Sequence, residues 1–493
     1  MRLSRLLALG LGSLLVAAIA GCSYPTRNQE SLVISETSGY RWSNLEPGSL
    51  EDTLVIVTAS GGGTRATALT LSVLRGLDRL ILADGRTLAQ EIDILSSVSG
   101  GSVAAAYFAL KGRDGFNALE QDFIRQDGIK AILTAGLNPI GLAALSTHET
   151  ERIDLLIDYL DGQLFDGARY QDLLDGGTRP FLLLNAADMV EGVPFSLTQR
   201  KFDLLCSDLA MLPLATAVAA SAAFPVALSP VTLTNYQPCA AIENKPWPPL
   251  WVEANLDDPD APFEEPSLWY DNPARATLGR AEYAYAQGRD APVDLQKRYI
   301  HLLDGGIADN LGVFEPFRML TTRDTQPSLL AEIDRGRATK LIFVVINARS
   351  FTTSELDQSP ATPGFLDMLM ASINAPIDRA TAGTADQLRQ LLFNTFRQLT
   401  LGDEDRARRF QELARNTAFI SIDFDAIPDG TCRRKYQAVP TSWRLKPKQI
   451  DAVLQVGGAL LANDPGFAEL LRITGAPPPD LPTLQATCEA LRF

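Results

Sequence analysis

Ile92-Asp93-Ile94-Leu95-Ser96-Ser97-Val98-Ser99-Gly100-Gly101-Ser102 runs straight into the alanine-rich stretch Val103–Leu110. An apolar, β-forming segment thus meets a helical pattern through small residues alone. That is the grammar of a nucleophile elbow, a sharp strand-to-helix turn that lifts one serine clear of the backbone. The turn is strained and the chain passes close to itself, so the neighbours of the serine must be small. Gly100 and Gly101 meet that need after Ser99, and Ser97 partly meets it on the preceding side. The following helix aims its first N–H groups at the serine, where they favour developing negative charge. Ser99 is the candidate nucleophile. Ser/Gly connections also occur in purely structural strand–turn–helix units, so the reading needs company elsewhere in the chain.

One unit upstream, Asp52–Ala59 is a continuous β-branched run of the kind buried in a parallel sheet. It leads into Ser60-Gly61-Gly62-Gly63-Thr64-Arg65-Ala66 and then a long amphipathic helix through Leu69, Leu74 and Leu80. Two consecutive strand–helix units predict a right-handed parallel crossover. The glycine loop lacks the spacing of a P-loop or of a dinucleotide fingerprint. Backbone N–H groups of Gly61, Gly62 and Gly63 suit an oxyanion instead, because a serine nucleophile follows one unit later.

Further along, Pro180–Ala187 reads as another strand, with Pro194–Thr198 pairing to it as a hairpin, and Leu214–Leu228 reads as a small-residue helix. Its Ala220-Ser221-Ala222-Ala223-Phe224-Pro225 run is expected to serve tight helix packing. Arg298–Leu303 is a strand that ends in Asp304-Gly305-Gly306-Ile307-Ala308-Asp309-Asn310-Leu311-Gly312. An aspartate there can sit beside a serine at a neighbouring strand end, where open α/β sheets gather their ligands. A second Asp-Gly-Gly, at Asp175–Gly177, lies between a helix and a strand and is read as a turn. Lys340–Ala348 and Ala418–Phe424 are further strands, whereas 380–416 and 447–474 are helical.

With 493 residues, 46% hydrophobic and 21% charged, the chain is a folded protein with ample core. A net charge of −15 with no basic cluster argues against nucleic acid as a partner. Any membrane attachment must come from the N-terminus. Arg2 and Arg5 precede the apolar run Leu6–Ala20, which is too short for a bilayer span and suits a signal-peptide core. Ile19-Ala20-Gly21-Cys22 resembles a bacterial lipobox, which makes Cys22 the lipidation site and 1–21 the signal peptide. Ser23, in place of an aspartate, favours the outer membrane facing the periplasm. Residues 22–50 are expected to tether the lipid to the body. The remaining Cys206, Cys239, Cys432 and Cys488 suit disulfides in an exported protein, and neighbour pairing is expected. No Cys/His spacing suggests a zinc site, and no metal or cofactor is expected.

Residues 236–298 change character, with Pro, acids and Trp247, Trp251 and Trp269. They read as an insertion: a lid, a pocket wall, a lipid-facing edge, or a small core of their own.

Taken together, Gly61–Arg65, Ser97–Gly101, Ala220–Pro225 and Asp304–Gly306 resemble, in order, the four motifs of the patatin-like phospholipases. The Ser-Gly-Gly-Gly-x-Arg-Ala form at 60–66 is similar to the version in cytosolic phospholipase A2. The resemblance covers roughly 52–350, with Ser97 where the elbow normally has glycine and Ala66 where patatins often do. It implies a three-layer α/β fold with a mainly parallel central sheet and a catalytic domain over 51–350; residues 351–493, outside the resemblance, read as a mainly helical C-terminal extension packed on that domain. It also implies a Ser99–Asp304 dyad, an oxyanion hole at Gly61–Gly63, and a role for Arg65 in binding the anionic group of the substrate. Such a dyad needs no histidine, which fits a chain whose two histidines, His148 and His301, lie outside any triad motif. The expected activity is that of a serine lipid acyl hydrolase of the phospholipase A or lysophospholipase type. A lipid acyltransferase or thioesterase with the same dyad, a Ser-His-Asp hydrolase, and an inactive lipid-binding envelope lipoprotein are the rival readings.

Overall fold

The computed structural model describes residues 26–35, 37–137, 150–225, 227–242, 273–288, 296–321, 329–350, 384–398 and 404–490, with single positions between 360 and 372. Cys22, His148 and the three tryptophans of the insertion lie outside the described residues. In chain order the elements used below begin with β1 (Gln29–Glu30), β2 (Thr53–Ala59), α1 (Gly63–Asp78), β3 (Ile94–Val98) and α2 (Gly100–Lys111). There follow α3 (Gly128–Leu137), α4 (Arg152–Leu160), β4 (Phe181–Asp188), β5 (Pro194–Leu197), β6 (Ser207–Asp208), α5 (Leu214–Ser221) and β7 (Val231–Thr234). The chain continues through α6 (Pro273–Gln287), β8 (Tyr299–Asp304), α7 (Phe314–Thr321), β9 (Lys340–Asn347), α8 (Glu404–Arg415), β10 (Thr417–Asp423) and α9 (Pro447–Asn463).

The central sheet has the order β10-β9-β2-β3-β4-β8-β7, with β5 also paired to β4. From β10 to β4 every pairing is parallel, and the β4–β5, β4–β8 and β8–β7 pairings are antiparallel. Each residue of β2 and β3 is buried, which explains why these strands read as unbroken apolar or small runs. Right-handed crossovers carry α1 and α2 to one face, where they pack on each other. Further along, α8 packs on β9 and α9 on β10, so helices flank the sheet in a three-layer arrangement. The order turns back at β2: the chain moves from β2 to β3 and β4, and afterwards to β9 and β10 beyond it. Open α/β sheets bind ligands at the carboxyl ends of strands beside such a switch point.

Three expectations need correction. Residues 26–35 and 37–50, expected as part of a tether, are packed into the body. β1 pairs with β6, Arg27 is ion-paired to Asp154, and Tyr40 is fully buried, stacked on Phe181 with its hydroxyl accepting the Leu182 N–H at 2.8 Å. Burying those aromatic surfaces outweighs the freedom that a polar linker would keep. Nor does the fold divide at residue 350. β10 extends the sheet beside β9, with Phe419 stacked on its register partner Phe343, 5.6 Å between centroids. α9 packs along α1, where Ser72 Oγ donates to the Leu454 carbonyl at 2.7 Å and accepts the Gly457 N–H at 3.0 Å. Finally, the helix expected over 214–228 stops at Ser221, because Pro225 cannot continue it.

Neighbouring cysteines pair as expected, Cys206 with Cys239 and Cys432 with Cys488. Of the 236–298 insertion, α6 is docked on the body: Glu282 is buried against Lys201 and Arg318, and Tyr285 donates to Asp188 at 2.7 Å.

A chain truncated after residue 350 strips one edge strand and the helix that covers α1. We expect it to lose cooperative thermal unfolding and to aggregate, as followed by circular dichroism and size-exclusion chromatography.

Candidate active site

Ser99 joins β3 to α2 with φ 50° and ψ −120°, a left-handed conformation that a non-glycine residue holds only when its surroundings enforce it. The enforcement is visible in the packing. A side chain at Gly100 would run into the Gly63 main chain, and one at Gly101 would lie 2.6 Å from the Ser60 carbonyl. The glycine loop after β2 therefore lies directly against the elbow. Thr67 Oγ1 pins the contact by donating to the Gly100 carbonyl at 2.7 Å. Ser97 is accommodated because it still belongs to the extended strand, where no glycine-only conformation is needed. Its buried hydroxyl has no hydrogen-bond partner among the described residues.

β8 is not the neighbour of β3; β4 lies between them. Val98 pairs with Asn185, and the next β4 residue, Ala186, pairs with Asp304. The antiparallel β8 thus ends at the height where Ser99 leaves β3. Burial pushes the Asp304 carboxyl up to about 6, against the Gly306 N–H, which donates to it at 2.8 Å, and the Ser99 side chain, its other hydrogen-bond partner. The structure brings Ser99 and Asp304 together.

Ser221, read from sequence as a packing residue, connects the two. Its hydroxyl accepts the Ser99 N–H at 2.9 Å, donates to the Asn185 carbonyl at 2.6 Å, and lies 2.9 Å from Ser102 Oγ. Its carbonyl accepts the Gly305 N–H at 3.1 Å, and the Ala223 carbonyl accepts the Asp304 N–H at 3.0 Å. The Ala-Ser-Ala-Ala motif was the available signal, but the length of the alanine run pointed to helix packing.

The loop after Asp304 also reaches the glycine loop. Asn310 accepts the Gly61 N–H at 3.2 Å through its carbonyl, and its side-chain oxygen fills the space beside Gly61 and Gly306. Gly61 therefore serves by lacking a side chain, and its N–H is already donated. The Gly62 and Gly63 amides stand at the N-terminal end of α1, where helix N–H groups have no internal acceptors. Arg65 differs from expectation as well. Its Nε donates to the Ala348 carbonyl at 2.7 Å, one Nη to the Val439 carbonyl at 2.5 Å, and the other to Thr441 Oγ1 at 2.9 Å. It clamps the glycine loop to segments 348 and 439–441.

Ser99, Asp304 and Gly61–Gly63 open on a cavity of about 450 Å³. One wall is apolar: Ile129, Ile132 and Leu133 of α3, Leu156 of α4, and Phe224 and Leu228 beyond α5. The other carries Arg349, Ser350, Thr441 and Ser442. Ile129 and Leu133 are also 39% and 53% exposed, so the apolar wall continues to the surface. His301 is turned to β7, with Nδ1 2.9 Å from Thr232 Oγ1, and is not part of the cavity lining. Among the described residues, no group of three or more His, Cys, Asp or Glu is placed to hold a metal ion.

Residues 57–251 match the family model described as patatin-like phospholipase. Over that segment the chain is similar to the patatin-like phospholipases. The matched segment contains the glycine loop, Ser99 and Ser221, and stops short of Asp304. Among solved structures, human GIVD cytosolic phospholipase A2 is similar at 14% identity, over 60% of this chain and 45% of that one, with a TM-score of 0.30. The chain thus spans less than half the length of that protein. No protein of curated function matches the chain.

Ser221→Ala leaves the Ser99 N–H buried without its acceptor. We expect it to lower kcat and the rate of fluorophosphonate labelling together, by about tenfold or more, with a small change in KM. Steady-state assay on a p-nitrophenyl ester alongside labelling kinetics checks this.

Proposed function

We propose that the protein is a serine lipid acyl hydrolase of the phospholipase A or lysophospholipase type, with Ser99 as nucleophile and Asp304 as base. The observation that carries the reading is the meeting of Ser99 and Asp304 at the mouth of a half-apolar cavity beside the N-terminus of α1. Asp304 takes the proton of Ser99 Oγ as that oxygen attacks the ester carbonyl. The carbonyl oxygen gains negative charge, which the Gly62 and Gly63 N–H groups and the helix dipole stabilise. Collapse expels the alcohol, which receives the proton from Asp304, and leaves Ser99 acylated. Asp304 then deprotonates a water, whose attack releases the fatty acid and restores the serine. The acyl chain lies along Ile132, Leu133, Leu156 and Phe224 throughout.

Ser99→Ala should abolish labelling and lower fatty-acid release at least about a thousandfold, and Asp304→Asn should do the same to release. Asp304 acts in its ionised form and its carboxyl is raised to about 6, so kcat/KM should fall about tenfold per pH unit below that point. A folded parent that neither labels nor turns over an ester would overturn the reading.

We further infer that Cys22 carries lipid. Only residues 23–25 separate it from the packed segment that starts at Thr26, so the anchor would hold the body within roughly 15 Å of the bilayer surface. Metabolic labelling with a tagged palmitate should mark the chain and be lost with Cys22→Ser; label retained in that variant would exclude this site.

A further inference from the structure

Gly63, one of the two amides that the proposed mechanism gives to the oxyanion, lies between two main chains. On one side is the elbow, where a β-carbon at Gly100 would run into the Gly63 main chain. On the other side a β-carbon at Gly63 would lie 2.7 Å from the Ser442 carbonyl oxygen. The next two residues repeat this second tie. Thr64 N–H donates to the Ser442 carbonyl at 2.9 Å, and Arg65 reaches the Val439 carbonyl and Thr441 Oγ1. Residues 63–65 therefore lean on 439–442. The elbow belongs to the segment that matches the family model, whereas 439–442 lies far beyond its end at residue 251.

Residues 439–442 sit between two helices. After them comes α9, which packs along α1. Before them a helix over Gly430–Gln437 ends. That helix is joined twice to the C-terminal helix Leu484–Ala490. One tie is the Cys432–Cys488 disulfide; the other is the Tyr436 hydroxyl, shared between the Thr487 carbonyl at 3.3 Å and the Ala452 carbonyl of α9 at 3.4 Å. The C-terminal helix packs in turn on α9. The contacts thus close a ring through α1, α9, the C-terminal helix, the helix at 430–437, residues 439–442 and the glycine loop that begins α1. The disulfide is the covalent cross-link of that ring, with a sequence separation of 56. Opening a loop of that length returns considerable freedom to the chain it closes.

We propose that residues 439–442 are a positioning part of the active site, and that the Cys432–Cys488 disulfide braces them against Gly63, so that reducing this bond slows acylation of Ser99. The proposal rests on the acyl hydrolase reading above and gives the C-terminal region a share in its chemistry. Cys488 is half-buried, so a small dithiol can reach the bond. One thiolate of the dithiol attacks a cysteine sulfur and breaks the S–S bond. Its second thiol then displaces that cysteine, so the dithiol leaves as a cyclic disulfide and Cys432 and Cys488 remain as thiols. With the brace open, Gly63 loses its support on the Ser442 side. Ser99 and Asp304 keep theirs, since Ser221, Gly306 and Ala223 lie outside the ring. The loss therefore falls on oxyanion stabilisation, which acts in the transition state.

The test uses the full chain in detergent, with a p-nitrophenyl ester as substrate and fluorophosphonate labelling alongside. The double variant Cys432→Ser/Cys488→Ser, folded by circular dichroism, should show kcat and labelling rate lowered about tenfold, with KM within about twofold of the parent. Dithiothreitol should cause the same loss in the parent, and reoxidation should reverse it. Agreement between the two assigns the effect to this bond and not to Cys206–Cys239. Thr441→Val, which takes one acceptor from Arg65, should lower kcat in the same manner, and Thr441→Ser should keep it. That pair decides the matter if opening the disulfide unfolds the chain. A folded double variant with the parental kcat, a Thr441→Val enzyme with the parental kcat, or a loss carried by KM alone overturns the proposal, while turnover by the parent still upholds the hydrolase reading. A folded parent that neither labels nor turns over the ester removes both.

Discussion

Close approach between two loops governs the architecture of this site. β2 and β3 are adjacent and parallel, with Ala59 level with Ser97, so the glycine loop and the elbow leave the sheet at the same height. They meet main chain to main chain at Gly63 against Gly100 and Ser60 against Gly101, with Gly61 beside the Ser99 side chain. That contact leaves no room for β-carbons and holds Ser99 in a left-handed conformation worth of order 1–3 kcal/mol of strain. The strain is maintained from the other side by Ser221, whose hydroxyl takes the Ser99 N–H. Each glycine in the motif thus answers to a neighbour in space and not merely to a bend.

Burial acts differently on the acids of this molecule according to what surrounds them. Glu282 is as enclosed as a side chain can be, yet Lys201, Arg318 and Arg200 hold its carboxyl down to about 2. Asp304 is enclosed equally, but the groups that lower its carboxyl are a backbone N–H and a hydroxyl, so desolvation prevails and raises it to about 6. In the role of base proposed for it, Asp304 gains from that difference, since a cation beside it would weaken its basicity. Asp309, five residues on, is also raised to about 6, but its carboxyl serves the backbone, accepting the Phe314 N–H at 2.7 Å. Two aspartates in one motif, both raised, divide into one that meets Ser99 and one that shapes the loop.

Most of the sheet was legible because buried parallel strands are apolar without interruption, and Ser99, Asp304 and the glycine loop were legible because their spacing is unusual. What escaped reading depends on contacts distant in sequence. Nothing near Gly61 shows that its N–H is given to Asn310, or that the guanidinium of Arg65 is spent on residues 348, 439 and 441. The strand at 417–423 could be read, but its place beside β9, which ties the C-terminal region into the domain, could not. Tyr40 and Trp42 sit among polar residues, and their burial depends on Phe181 and Arg179 far along the chain.

The antiparallel direction of β8 has a mechanical consequence for the site. A strand parallel to β4 would deliver Asp304 and then carry its following loop onward, away from the sheet. Because β8 descends toward the level of Ser99, the chain must reverse after Asp304, and residues 305–312 fold back across the ends of β4 and β3. There Ser96 Oγ donates to the Gly312 carbonyl at 2.5 Å, and Asn185 Nδ2 holds Ser96 Oγ at 2.9 Å and the Ser97 carbonyl at 3.0 Å. The same reversal sets Asn310 on Gly61. The loop that follows Asp304 therefore also fixes the height of the glycine loop, and a displacement of either would move both relative to Ser99. Asp304, Ser99 and the Gly62–Gly63 amides follow three different strands, yet they are positioned as one body.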